Sequence, residues 1–417
     1  MARILDYIHQ WCRKWRLVVN CERNKTEIIV IRPKGESTAT PLAQLSLGGK
    51  PIAYAKSSKV LGVQIDEKLD FIAHSADVLK RCWFDWNRLT SGTVRAAGAN
   101  AATLSLLFKT VITTKILYAA PVWLKQRQDT FRGFFSRARL KITGAQFHVP
   151  KPLSEMLAGT PPLDVLLETV TIKFVLKGLS ASDTMTAKLL QIEAEPGHAF
   201  FWTIAATKRY LLWKADQSER RDSSRRNSIR SFALLEQEPS IFHYTKEDVR
   251  SYLCQLWNRS LGNNLSRMIK IDPYRLSPAK THEDLLALVD SSAALEFPVV
   301  SRSMTRQSSS YVLDFMHGRS LRFQDFTFSY LHWDRSTSVP VCLECGQLPD
   351  SPSHKLFECD AVTGVEDLRE RLKDISAFEV NYHLALVFCK DREVKYAFRE
   401  LVDIIVEQSV FDDNLLV

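Results

Sequence analysis

Residues 58–74, SKVLGVQIDEKLDFIAH, are where the chain changes character. SKVLGVQID reads as a strand. With LSLGGKPIAYA (45–55) before it, the pair forms two strands around a Gly-Gly turn. Beyond His74 the apolar spacing becomes that of a helix. Val78, Leu79, Cys82, Trp83, Trp86 and Leu89 form one stripe. Leu104, Leu107, Phe108, Val111, Ile112 and Ile116 form another, which Pro121 is expected to end. The fold class that follows is α+β and mostly helical, with a small β element leading into helices.

Outward from this switch the signals are weaker. Residues 3–16 read as an amphipathic helix with Ile4, Ile8, Trp11 and Trp15 on one side, and KTEIIVIRP (25–33) as a short strand closed by Pro33. Downstream, 165–213 and 236–330 read as helical, and 365–410 carries at least one more helix. Between them KADQSERRDSSRRNSIR (214–230) is polar, Arg-rich and free of aromatics, the composition of an exposed linker.

Charge is distributed unevenly. Residues 1–165 hold 25 Lys and Arg against 12 Asp and Glu, whereas residues 166–417 hold 31 against 35. All of the basic excess lies in the first two-fifths of the chain, an electrostatic footprint suited to a polyanion. No apolar run approaches the ~18 residues of a membrane span, and the N-terminus has no signal-peptide core. The eight cysteines are scattered apart from one cluster, which points to a reducing compartment. An intracellular protein, nuclear or cytoplasmic, with no membrane partner is the expectation.

That one cluster is CLECGQLPDSPSHKLFEC, residues 342–359. Cys342, Cys345, His354 and Cys359 follow the spacing C-x2-C-x8-H-x4-C. Four soft ligands within one segment suit a closed, tetrahedral, structural zinc site, one ion per chain. The bland alternative is a loop of free thiols. The wide centre between the two ligand pairs favours a structural staple over base readout.

The order of elements in the first third carries a resemblance. WCRKWRLVVNCERNKTEIIV (11–30), LSLGGKPIAYAKSSKVLGVQIDEKLDFIAH (45–74) and LLFKTVITTKILYAAPVW (106–123) together resemble the end of the reverse transcriptase domain of non-LTR, jockey-like retrotransposons. The elements that carry the resemblance are Lys25-Thr26, Leu61-Gly62 with Asp66, Phe71 with His74, and Tyr118-Ala119 with Pro121 and Trp123. The Cys-Cys-His-Cys tail and the RERL that follows it also resemble the family.

The resemblance implies a division into the end of a palm with a primer-grip-like hairpin (1–70), a thumb-like helical region (71–164), a helical connection (165–213), an Arg-rich linker (214–235) and a helical C-terminal domain with the Cys3His cluster (236–417). It implies partners that are RNA, DNA or an RNA–DNA hybrid. Lys59 and Gly62 of the hairpin would meet nucleic acid, together with Lys80, Arg81, Arg88, Lys115, Arg137 and Arg139 of the thumb. The ordinary reading of each such cation is a solvated helix face. Lys25 matches a position suited to a general acid in the parent enzyme, and its ordinary reading is an exposed turn lysine.

Polymerases of this class use magnesium ions held by carboxylates, and magnesium is implied only for the complete parent enzyme. The aromatic-x-Asp-Asp run that would help hold it does not occur here. The single Asp-Asp pair is Asp412-Asp413, without that spacing. The expectation is therefore a C-terminal portion of an RNA-directed DNA polymerase that binds nucleic acid without catalysis of its own. The rival is a domesticated or unrelated zinc-containing nucleic-acid-binding protein with no enzymatic role.

Overall fold

The computed structural model describes residues 2–22, 25–31, 43–91, 99–145, 149–180, 201–219, 245–264, 304–317, 341–347, 351–373 and 389–409, with Val300 and Leu386. Most of the Arg-rich linker and the pair Asp412-Asp413 lie outside these residues. The fold is mostly helical with small sheets, as the sequence predicts.

Helix α1 (Ala2–Lys14) packs on the antiparallel pair β2 (Ser46–Leu47) and β3 (Lys50–Pro51). The turn between these strands holds Gly48 at φ 57, and a Cβ there would meet the His9 ring at 2.4 Å. Only glycine allows α1 this close. Strand β1 (Glu27–Ile28), much shorter than KTEIIVIRP suggests, runs parallel to β4 (Ala53–Tyr54).

SKVLGVQID is not one strand but a hairpin. Strands β5 (Ser57–Val60) and β6 (Val63–Asp66) pair antiparallel, with Val60 opposite Val63. Leu61 and Gly62 form the two-residue turn at φ 47 and 89, the doubly positive arrangement that suits the twist of a tight hairpin. Asp66 then builds the passage into the helices. Its carboxylate accepts the N–H groups of Lys68 (3.0 Å), Asp70 (3.1 Å) and Phe71 (2.9 Å).

Helix α2 (Ile72–Leu89) starts there and buries Val78, Cys82 and Trp86. The second stripe is borne by α3 (Ala101–Leu107), a π-helical turn (Phe108–Thr113) and α4 (Thr114–Leu117). Leu104, Phe108, Ile112 and Ile116 are all buried. A strict four-residue spacing runs ahead of a 3.6-residue turn, and the wider π turn absorbs the surplus and keeps the stripe on the core.

Pro121 does not end this helix. The chain bends at Tyr118 and Ala119 (φ 51), and Pro121 sits in the first turn of α5 (Ala120–Thr143). The missing N–H of proline costs nothing at that position. No single helix among the described residues is long and apolar enough to cross a membrane. The bent pair 101–117 and 120–143 has the length and composition, but it meets at 111° and buries its aromatic side chains. Trp86, Phe108, Trp123, Phe131, Phe134 and Phe135 form the centre of this core, largely through edge-on ring contacts.

Helices α6 (Lys151–Leu157) and α7 (Leu163–Ser180) close the bundle against α5. A smaller cluster of Ile172, Leu176, Tyr210, Leu211 and Tyr252 joins α7 to α8 (Phe201–Glu219) and α9 (Lys246–Gly262). The tail does not stand apart. Helix α10 (Arg306–His317) packs on α3, α6 and α13 (Arg392–Gln408), and the Asn100 side chain donates to the Met304 carbonyl at 2.7 Å. One apolar core therefore runs from Val63 to Ile405.

Candidate nucleic-acid cleft and metal centre

The β5–β6 hairpin is fastened to the helices at two points. Gln64 N–H donates to His74 Nδ1 at 3.3 Å, and the Tyr118 hydroxyl donates to the Leu61 carbonyl at 2.7 Å. Between them lies a cleft of about 250 Å³. Lys59, Arg81 and Lys115 supply its positive charge. Val78, Cys82 and Tyr118 supply apolar wall, and Gly62 and His74 complete the lining. Gly62 at φ 89 faces the Tyr118 ring, and a Cβ there would lie in ordinary contact at 3.5 Å. The left-handed backbone, not the space, is what calls for glycine.

The charges of the cleft are partly balanced. Arg81 pairs with Asp77 at 2.7 Å one turn away, and Lys115 pairs with Asp85. Burial, with the Arg81 charge second, holds the His74 imidazole below its ordinary pKa. Its Nδ1 accepts a backbone proton, so the neutral ring carries its own proton on Nε2. The ring also stands edge-on to Trp123, with centroids 4.7 Å apart. Burial pushes the Cys82 thiol up to about 11, which makes it an inert part of the floor.

Four of the expected nucleic-acid residues, Lys59, Gly62, Arg81 and Lys115, thus line one cleft, though up to 56 residues separate them. Lys80 and Arg88 are exposed on α2, and Arg137 is exposed on α5 with its guanidinium 5.9 Å from the Trp83 ring centroid.

Arg139 is a correction. It is 1% exposed and bonds Glu155 (2.8 Å), Thr160 Oγ1 (2.9 Å) and the Pro161 carbonyl (2.8 Å). It locks α5 to the segment after α6 and cannot reach a phosphate. Lys25 sits exposed in a turn that Thr26 Oγ1 closes by donating to the Asn20 carbonyl at 2.8 Å. The lining residues the sequence did not assign to the site are His74, Val78, Cys82 and Tyr118. They read as core or as a helix end, and only the hairpin's position turns them into a wall.

The cysteine and histidine cluster assembles as its spacing suggests. Cys342 and Cys345 sit on a tight knuckle. The Cys342 N–H donates to Gln347 O at 2.8 Å and the Gly346 N–H donates to Cys342 O at 2.9 Å, with Gly346 at φ 71. The Gln347 N–H points at Cys345 Sγ from 3.4 Å. His354 lies in the short helix α11 (Pro352–Phe357), capped by Ser351. Cys359 follows directly, its N–H donating to His354 O at 2.8 Å.

The ligand atoms of all four residues lie within 4.8 Å of one another, a set that can hold a metal ion. Cys342 and Cys359 sulfurs are 3.9 Å apart, close to the ~3.8 Å edge of a tetrahedron with zinc–sulfur bonds of about 2.3 Å. Cys345 Sγ and His354 Nε2 are 3.1 Å apart. The donor set fits zinc.

A second layer surrounds these ligands. Glu344 Oε2 lies 3.0 Å from Cys342 Sγ and 2.6 Å from the buried Lys355 ammonium. Burial opposes the Glu344 charge, but hydrogen bonds from Cys342 and Lys355 outweigh it and hold the carboxyl below its ordinary value. From α12 (Glu366–Lys373), Arg369 donates to the carbonyls of Leu356 (2.8 Å), Cys359 (3.0 Å) and Lys355 (3.4 Å). Burial raises the Cys342 and Cys359 thiols, and a bound cation would reverse this by favouring thiolate.

The sequence has a distant likeness among mobile genetic elements. The chain is 24% identical over 183 residues to the putative 115 kDa protein in the type-1 retrotransposable element R1DM of Drosophila melanogaster. The aligned part covers 42% of this chain and 17% of that protein. The chain is thus similar to a protein of a type-1 retrotransposable element. No family model matches the chain, and no solved structure matches it.

Proposed function

We propose that the chain is the C-terminal portion of a retrotransposon RNA-directed DNA polymerase, acting on its own as a nucleic-acid-binding unit. The observation that carries the reading is the meeting of Lys59, Gly62, Arg81 and Lys115 in one cleft between a glycine-turned hairpin and a helical bundle. Phosphates suit such cations, and a glycine turn lets a backbone come close. Similarity to the R1DM protein supports the reading, and so does the basic excess of residues 1–165. The sequence holds no aromatic-x-Asp-Asp run to place magnesium, so primer extension is not expected from these residues alone.

In this reading the tail holds one zinc ion through Cys342, Cys345, His354 and Cys359. With all four positions filled by protein, the ion would have no open site for chemistry and would contribute folding free energy. Lys355 turns inward to Glu344, and Glu358 and Asp360 flank the ligands on the outside, a poor surface for phosphate. The cleft, not the knuckle, is the nucleic-acid site. Titrating the full chain against a labelled RNA–DNA hybrid tests this. Binding that weakens steeply with salt is expected, and Cys345→Ser should leave the salt slope unchanged. Template-dependent incorporation of nucleotides by the chain would overturn the reading.

A further inference from the structure

Phe84 lies in the middle of α2, yet it is 62% exposed. Residues three and four apart share a helix face, so Lys80, Arg81 and Arg88 surround it. The Arg88 guanidinium lies 5.7 Å from the Phe84 ring centroid. Lys80, Arg81 and Arg88 are all exposed. Arg81 also belongs to the cleft, so this face and the cleft are continuous.

A single exposed aromatic is ordinary on a protein surface. An exposed aromatic with cations on either side along the helix is different. It is the makeup of surfaces that stack bases while holding the phosphates beside them. A ring on a helix surface can stack only on a base face that is not already covered by its neighbours in a duplex.

We propose that this face of α2 binds unpaired nucleotides, with Phe84 stacking on a base and Lys80, Arg81 and Arg88 contacting the adjoining phosphates. The proposal rests on the nucleic-acid reading above and adds its substrate class: a strand with unpaired bases, either free or as an overhang on a duplex. Arg81 is also paired with Asp77 at 2.7 Å.

The test compares the full chain with Phe84→Ala and Phe84→Trp. The probes are a fluorescein-labelled oligothymidylate, a blunt DNA duplex of matched length, and a strand carrying 2-aminopurine. Phe84→Ala should weaken binding of the oligothymidylate roughly tenfold and leave the blunt duplex within about twofold. Phe84→Trp should restore the loss. The wild-type chain should change 2-aminopurine fluorescence on binding, and Phe84→Ala should abolish that change. Equal losses for strand and duplex, or no loss for either, overturn the stacking role while leaving the cleft reading intact. Self-association lost in Phe84→Ala without any change in strand binding would make the face a protein contact and overturn it as well. If the wild-type chain binds neither probe, the nucleic-acid reading itself fails and this inference with it.

Discussion

The Tyr118 hydroxyl donates to the Leu61 carbonyl at 2.7 Å, although 57 residues separate them. Tyr118 ends α4 at the bend before α5, and Leu61 opens the β5–β6 turn at φ 47. A left-handed leucine costs about 1–2 kcal/mol. The bond orients that strained turn and joins the strand half of the cleft to its helical half.

Tyr118→Phe should therefore lower stability by about 0.5–1 kcal/mol, the net worth of one partly exposed hydrogen bond. The midpoint of a urea transition should fall while its slope stays constant. Tyr118→Ala should cost more and weaken nucleic-acid binding, because it also removes the cleft wall.

The helical half was legible from apolar spacing, whereas the hairpin was legible only through the family resemblance. Val78, Cys82 and Trp86 announce their burial by spacing alone, and the Cys-x2-Cys knuckle is local enough to read directly. SKVLGVQID hides its turn because Leu-Gly lacks the Asn-Gly or Asp-Gly signature. Arg139 misleads because charge suggests a surface. Its partners Glu155, Thr160 and Pro161 lie 16 to 22 residues further on, and nothing local marks them. The meeting of Lys59 with Lys115 depends on the fold as a whole.

Arg139 gives a sharp contrast with its neighbour. Arg139→Met leaves the Glu155 carboxylate buried without its partner and should cost about 3–5 kcal/mol, whereas Arg137→Ala should cost little. Burial already raises the Glu155 pKa, against the opposing pull of Arg139. Removing that pull raises it further, so the folded variant binds a proton more tightly than the unfolded chain. The deficit should be fully present above the folded pKa and shrink as pH falls through it toward the unfolded value. Urea melts of both proteins across mildly acidic to neutral pH check this.

His74 should make the cleft acid-sensitive. Its folded pKa is depressed below 6.5, so its contribution is complete above the unfolded value and is lost as pH falls toward the folded one. Protonation would also remove the Nδ1 acceptor that Gln64 uses. Stability should decline below about pH 6.5, and His74→Asn should flatten that decline in pH-resolved melts.

Arg369 should govern the metal centre without touching the metal. Its bonds to the carbonyls of Lys355, Leu356 and Cys359 hold the ligand Cys359 and the end of the helix that carries His354. Arg369→Ala should weaken zinc affinity about 10–100-fold, read by competition with a chromophoric chelator. The visible spectrum of the cobalt-loaded variant should be unchanged, since the ligand set is intact. Cys345→Ser should alter that spectrum. Because α10 joins the tail to α3 and α6, metal loss should also loosen the bundle in hydrogen exchange.

The central claim is that the cleft grips phosphate. The most direct measurement is the slope of log affinity against log salt for the full chain on an RNA–DNA hybrid, with and without charge reversal at Lys59, Arg81 and Lys115 together. Each phosphate contact contributes close to one unit of slope. The triple reversal should flatten the slope by about two to three units, with circular dichroism showing the protein still folded and its melting lowered by the new like-charge contacts to Asp77 and Asp85. A folded triple variant with an undiminished slope would place the grip elsewhere and contradict the account.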